Sequence, residues 1–318
     1  MDLTIRNDAL QVLGTTKPYI ESPKHVNIDY QALDGLAKLV KDRISAGLPD
    51  SDEEFFYLND YQKDVQVVFL ENVVNFCFWA EEGKEKWKVE FNGKEDDGAS
   101  ALRSVFERAM HEEIPILDAE YLSDLTLDMV KEIFRPSNGI EIPLIQKRYE
   151  NLVEAGKILR ERFGGYYSNL VKESHFDAVL ITKATIDNFK SFNDSYKDVN
   201  FYKRAQLNAF DIAQIPTKNK IINTELLTAM ADYKLPQLLR FIGVLKYSDE
   251  LSSKVDNWKL IDSGSREEIE IRSATIWAIE LVSQKLGISA GLADRAIWWL
   301  SRELDIKQLY HRTYTIYY

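Results

Sequence analysis

From about Val65 to Trp79 the chain is almost continuously apolar, carrying Val65, Val67, Val68, Phe69, Leu70, Val73, Val74, Phe76, Phe78 and Trp79. A run of that length exceeds an ordinary strand and falls short of a membrane span. It predicts a central helix buried on several sides, and therefore a fold in which other helices wrap around it. The flanking sequence agrees. Leu33, Leu36, Ala37, Val40 and Ile44 recur at helical spacing after Asp29, a candidate N-cap, and Ser51-Asp52-Glu53-Glu54 reads as a capping box. Leu102, Val105, Phe106, Ala109 and Met110 form a further helical stripe. A long one runs from Leu144 to Phe163 and stops at Gly164-Gly165. Further helices are expected at 170–192, 200–213, 223–231, 236–246, 267–286 and 290–303.

One segment has strand period. Trp87, Val89 and Phe91 alternate with Lys86, Lys88 and Glu90, and Asn92-Gly93 follows as a strong hairpin turn. The expected fold class is mainly α, a compact multi-helix fold with one small β-hairpin. A single domain over 1–318 is expected. The Pro136-Ser137-Asn138-Gly139 break is a candidate boundary between lobes 1–137 and 138–318.

Composition narrows the function classes. The formal net charge is −11, and no Lys/Arg cluster of the kind that tracks a phosphate backbone is visible, so no direct nucleic-acid partner is expected. The one cysteine, Cys77, permits no intrachain disulfide and fits a reducing compartment. No window approaches a membrane span, so a soluble cytoplasmic protein is expected. His25, His111, His175 and His311 are far apart and unmatched at metal-ligand spacing. There is no phosphate-cradling glycine loop and no nucleophile elbow, and neither metal nor cofactor is expected. The sequence leaves the oligomeric state open.

Four runs place charged or phenolic groups in apolar, helix-like surroundings, where a bare charge needs a partner or a ligand. They are Phe201-Tyr202-Lys203-Arg204-Ala205-Gln206, Ala231-Asp232-Tyr233-Lys234-Leu235-Pro236-Gln237, Glu270-Ile271-Arg272 and His311-Arg312-Thr313-Tyr314-Thr315-Ile316-Tyr317-Tyr318. Asp232 is expected near the junction of two apolar helices, because Pro236 forces Leu235 out of the α region and suits a first helical turn. Capping the next helix is the commoner use of such an aspartate. Projection into a cleft is the alternative. Lys203 and Arg204 diverge by about 100° on a helix, so one can face a pocket while the other does not. Phe78 and Trp79, at the expected end of the central helix, offer flat faces for a base, and Asn75 offers an amide for its edge. Core packing is the competing use of those aromatics.

Together these runs resemble the queuosine salvage protein family, the queuosine 5'-phosphate N-glycosylases. The resemblance also takes in Val73-Val74-Asn75-Phe76-Cys77-Phe78-Trp79, Ala155-Gly156-Lys157-Ile158-Leu159 and Phe163-Gly164-Gly165, and reaches from about residue 20 to the last residue. It implies a fold similar to the helical DNA glycosylases. The implied activity is hydrolysis of queuosine 5'-monophosphate to queuine and ribose 5-phosphate, with a small-molecule nucleotide as the partner. A non-catalytic queuosine or queuine binder, or a nucleic-acid glycosylase-like module, is the alternative. The resemblance makes Asp232 the catalytic carboxylate. It also makes Lys203 a substrate cation with the 5'-phosphate as its target, and Asp294 a residue for the base or its cyclopentenediol. Tyr202, Tyr233 and His311 complete the expected substrate-binding set with Asn75, Phe78 and Trp79. The chain departs from the family pattern at Lys234 and Tyr314, where arginine is usual, and at Trp299, where some relatives carry aspartate. The aromatic tail is expected to dock near Asp232 and help close the pocket.

Overall fold

The computed structural model describes residues 3, 5–48 and 57–318. The expected capping box at Ser51–Glu54 lies outside the described residues. The N-terminal elements are α1 (Val12–Glu21), β1 (Val26–Ile28), α2 (Leu33–Ser45) and α3 (Tyr61–Val74). The hairpin β2 (Lys88–Phe91) and β3 (Lys94–Asp97) leads into α4 (Gly98–His111), α5 (Ala119–Ser123) and α6 (Leu127–Ile133). Then come α7 (Ile145–Arg162), α8 (Tyr167–Glu173), α9 (Ala178–Asn188), the short β4 (Ser195–Tyr196) and β5 (Val199–Asn200), and α10 (Lys203–Ile212). The last elements are α11 (Lys234–Phe241), β6 (Leu245–Tyr247), α12 (Asp249–Asp256), α13 (Arg266–Leu286) and α14 (Ala290–Glu303).

The fold is mainly α, as the apolar periodicity predicts. The expected hairpin pairs Lys88 with Asp97 and Phe91 with Lys94. Asn92 and Gly93 both have positive φ, 51° and 75°, which matches the right-handed twist of the two strands. Two further antiparallel pairs, β1–β6 and β4–β5, correct the expectation of a single hairpin. Their strands have two or three residues each, too short for any alternation to register in sequence.

Two helices organise the core. In α3 almost every residue from Asp64 to Val74 is buried, and the helix packs on α7, α8 and α10. In α13 every residue from Glu268 to Ser283 is buried, against α1, α2, β1 and α14. Its buried charges are matched. Glu270 Oε2 accepts from the backbone N–H groups of Lys24, His25 and Val26 at 3.0, 2.6 and 3.0 Å, and Glu280 takes Arg6 Nε at 2.6 Å. These carboxylates tie the N-terminal segment to the central helix.

The helix predicted through Trp79 ends at Val74. Arg204 Nη1 donates to the carbonyls of Asn72 and Val73 at 2.8 and 2.7 Å, Asn151 Nδ2 donates to Val73 O, and Arg148 donates to Phe76 O. These side chains satisfy carbonyls that a helix end leaves open. Cys77 then takes φ 49°, so Phe76–Trp79 is not helical. The helix expected at 223–231 is likewise absent apart from a 3₁₀ turn at Thr224–Leu226. There the N–H of Thr228 goes to Gln206 Oε1 and that of Met230 to Asp294 Oδ2, both at 2.8 Å. The expected helix at 170–192 is broken by His175 and Phe176 at φ 53° and 56°. The Pro136–Gly139 break lies in the connection from α6 to α7, pinned to the hairpin by Ser137 N to Lys88 O.

Gly156 marks a close helix approach. A Cβ there would lie 2.5 Å from Ser123 N and 2.6 Å from Leu122 Cβ, so α7 can meet α5 only without a side chain. Gly156→Ala should destabilise by about 1–3 kcal/mol, a melting shift of several degrees. Gly35→Ala, in α2 with nothing within 4 Å, should raise stability by roughly 0.5–1 kcal/mol. Thermal denaturation of the pair checks this, and equal behaviour of the two variants would contradict the close-contact reading.

Candidate active site

A cavity of about 220 Å³ opens between α3, the start of α4, α10, the segment before α11, and α14. Helical spacing places the lining. Glu71 and Asn75 stand one turn apart at the end of α3. Lys203, Leu207, Asp211 and Gln214 follow one face of α10, and Asp294, Trp298 and Arg302 follow one face of α14. Gly291 lets α14 approach α10 closely, since a Cβ there would lie 2.7 Å from the Phe210 ring.

Asp232 lies in non-helical chain just before α11 rather than between two helices. Its Oδ1 accepts from the N–H groups of Lys234 and Leu235 at 2.7 and 3.0 Å, so the residue caps α11. Its Oδ2 has no hydrogen-bond partner among the described residues, and the residue lines the cavity. The cap and the cleft, set out as alternatives from sequence, are compatible uses of two different oxygens. Pro236 sits in the first turn of the helix that this cap begins.

Lys203 and Arg204 part company as their angular separation predicts. Arg204 turns to the end of α3 and also donates to Ser191 O. Lys203 is buried and lines the cavity, where burial lowers its pKa and the charges of Asp232 and Asp294 oppose that shift. Its ammonium has no hydrogen-bond or ion-pair partner among the described residues. Its backbone N–H is held by Asp194 Oδ2 at 3.2 Å. Asp294 is buried, accepts from Met230 N at 2.8 Å, and is pushed up to about 7, first by burial and further by the charge of Asp232. Glu71 is pushed up to about 8 by burial.

Of the residues expected at the site, Asp232, Lys203, Asn75, Phe78, Tyr233 and Asp294 line this cavity. Trp79, Tyr202 and His311 do not. Trp79 donates to Thr313 O at 3.3 Å and packs on Tyr314 at 4.5 Å between ring centres, so it anchors the tail. Tyr202 precedes α10 at φ 50°, its N–H on Asp194 O. His311 is buried 3.2 Å from the Tyr318 hydroxyl, and burial pushes its pKa down to about 3. The tail is docked, with Cys77 N donating to Tyr318 O at 2.9 Å, and Tyr318 itself lines the cavity. Sequence reasoning missed Glu71, Asp211, Trp298 and Arg302 as lining residues, although their four-residue spacing from Asn75, Lys203-Leu207 and Asp294 carries the signal.

The family model described as queuosine salvage protein matches residues 56–318. The chain belongs to the queuosine salvage protein family. It is similar to the queuosine 5'-phosphate N-glycosylase/hydrolase of Sphaerobacter thermophilus, at 35% identity over 98% of each chain. The mouse protein of the same description is 32% identical over 94% of this chain and 96% of its own. The bovine one is 35% identical over 80% and 81%. This family member places two aspartates and a lysine around one cavity, with the pKa of Asp294 raised to about 7.

The pKa of Asp294 has a consequence for stability. Its folded value, about 7, lies above the ordinary 3.8, so the folded chain holds a proton that the unfolded chain releases. That contribution is fully present below about pH 4 and is lost as pH rises through about 7. Over this window the wild type should lose up to roughly 4 kcal/mol relative to Asp294→Asn. Denaturation of both proteins from about pH 4 to about pH 8 measures it. A constant difference between them would mean that Asp294 titrates normally.

Proposed function

We propose that this enzyme hydrolyses the N-glycosidic bond of queuosine 5'-monophosphate, releasing queuine and ribose 5-phosphate. Queuine is then available to a separate enzyme for insertion into tRNA. Family membership supports the reaction class. The observation that carries the site assignment is the divided carboxylate of Asp232, with one oxygen fixed in the cap of α11 and the other unpartnered in a residue lining the cavity.

Breaking the bond builds positive charge on C1' and the ring oxygen of the ribose. A carboxylate held rigidly by its own helix cap stabilises that charge without reorganising, or attacks C1'. The departing base needs a proton or a hydrogen bond. Asp294, with Oδ2 on Met230 N and a pKa near neutrality, can donate from its other oxygen. Phe78, Tyr233 and Trp298 supply flat apolar faces beside it. Water completes the hydrolysis, and no step calls for a metal or cofactor. No helix among the described residues is long and apolar enough to cross a membrane. The cytoplasm is part of this proposal, supported by the lone buried Cys77.

Asp232→Asn keeps an oxygen for the cap and removes the charge. Release of free base from the nucleotide should fall at least about 100-fold, roughly 3 kcal/mol of transition-state stabilisation, with the melting temperature little changed. Asp232→Ala should lose the same activity and about 0.5–2 kcal/mol of stability besides. Chromatographic assay of released base, with melting curves, separates the two effects. Near-normal turnover by folded Asp232→Asn would remove the assignment.

A further inference from the structure

The tail touches the Asp232 turn from outside the cavity. Phe76, Cys77 and Trp79 make a small buried cluster apart from the main core, and Leu144, Tyr233, Tyr310 and Ile316 pack against it. Tyr233 and Tyr310 meet there, with ring centres 4.9 Å apart and planes tilted by 45°. Lys234 Nζ lies 5.3 Å from the centre of the Tyr310 ring. One ring thus touches both residues that follow Asp232. Tyr310 itself does not line the cavity.

That ring is rigidly mounted. Gln237 Nε2, from α11, donates to Gln308 O at 2.6 Å, and Ile261 N donates to Arg312 O at 2.8 Å, so the chain is pinned on either side of Tyr310. The Arg312 guanidinium is buried and lies 3.5 Å over the Trp258 ring. Lys234 Nζ also donates to Gln237 Oε1 at 3.2 Å, which closes a circuit from the Asp232 turn through α11 and Gln308 back to Tyr310. The turn depends on that support. Asp232 Oδ1 holds the N–H groups of Lys234 and Leu235, so the backbone of Tyr233 is the link that the turn encloses. A shift of Tyr233 moves the anchor of the carboxylate, and a misplacement of about 1 Å can cost on the order of 100-fold in rate.

We propose that Tyr310 is a positioning residue for Asp232: its ring fixes Tyr233 and Lys234, and through them the turn that holds the carboxylate in the cavity wall. The proposal rests on Asp232 as the catalytic carboxylate. Because the Tyr310 ring lies outside the cavity, its loss removes stabilisation of the transition state and leaves ground-state binding in place. A residue that merely gripped the substrate would change KM as well.

Steady-state kinetics of base release test this on wild type, Tyr310→Leu, Tyr310→Met, Tyr310→Phe, Asp232→Asn and the double variant Tyr310→Leu/Asp232→Asn, with melting curves on each. Tyr310 is half-buried, and leucine or methionine keeps apolar volume against the small cluster while losing the flat ring, so either folded variant carries the test. Their kcat should fall at least about tenfold, or about 1.4 kcal/mol, while KM stays within about threefold. Tyr310→Phe, which keeps the ring, should hold kcat within about twofold of wild type. In the Asp232→Asn background Tyr310→Leu should cost less than about threefold more, because the charge it positions is gone. An unchanged kcat in folded Tyr310→Leu or Tyr310→Met would overturn the proposal. So would a full additive loss in the Asp232→Asn background, or a loss in Tyr310→Phe as large as in Tyr310→Leu. Near-normal turnover by Asp232→Asn would instead refute the Asp232 reading on which the proposal stands.

Discussion

Asp194 and Arg272 form a bidentate ion pair, 2.9 and 2.5 Å, with both side chains almost completely buried. Its position matters more than its strength, because desolvation offsets much of the attraction in such a pair. Asp194 accepts from Phe201 N and Tyr202 N through its carbonyl and from Lys203 N through Oδ2, which fixes where α10 begins. Arg272, from the middle of α13, lies 3.9 Å over the Phe201 ring and 4.6 Å over that of Tyr318. One contact thus sets the central helix, the helix that carries Lys203, and the tail residue that lines the cavity. Removing Arg272 would leave the buried Asp194 without its cation, and removing Asp194 would leave Arg272 only Glu268, 3.7 Å away; either loosens the contact that the three elements share.

The same logic sorts the other buried charges. Glu270 is answered by three backbone N–H groups, Glu280 by Arg6, and Arg148 and Arg204 by carbonyls. Those groups build the fold. Lys203 is a buried cation whose ammonium has no hydrogen-bond or ion-pair partner among the described residues and meets the fields of Asp232, Asp294 and Asp211 across a cavity, and Asp232 has an oxygen to spare. Polar groups left over after the fold is satisfied are where a ligand belongs. Adjacent residues can fall on opposite sides of that division, as Lys203 and Arg204 do.

The long helices were legible because their apolar stripes reflect burial along a regular repeat. The helix 290–303 has the expected limits, and the 267–286 helix starts one residue early. The failures occur where distant side chains compete for the backbone. Neither Arg204 and Arg148 at the end of α3, nor Gln206 and Asp294 beside residues 228–230, can be placed there from local sequence. The strand pairs β1–β6 and β4–β5 are equally invisible, since two or three residues carry no period. At the site, Asp232 was legible as a cap or a cleft residue, and the geometry has it cap α11 through Oδ1 while lining the cavity. Trp79 and His311 drew attention as a flat face and a titratable group. The contact of Trp79 is with Thr313, 234 positions away, and that of His311 is with Tyr318, 7 positions on, across a tail with no regular repeat to align them.

The account turns on how a nucleotide lies in the cavity. A crystal structure of Asp232→Asn with intact queuosine 5'-monophosphate would test that directly. The account predicts C1' beside the residue 232 side chain and the base between Asp294 and the aromatic faces of Phe78 and Trp298. A nucleotide bound with C1' away from residue 232, or outside this cavity altogether, would contradict it.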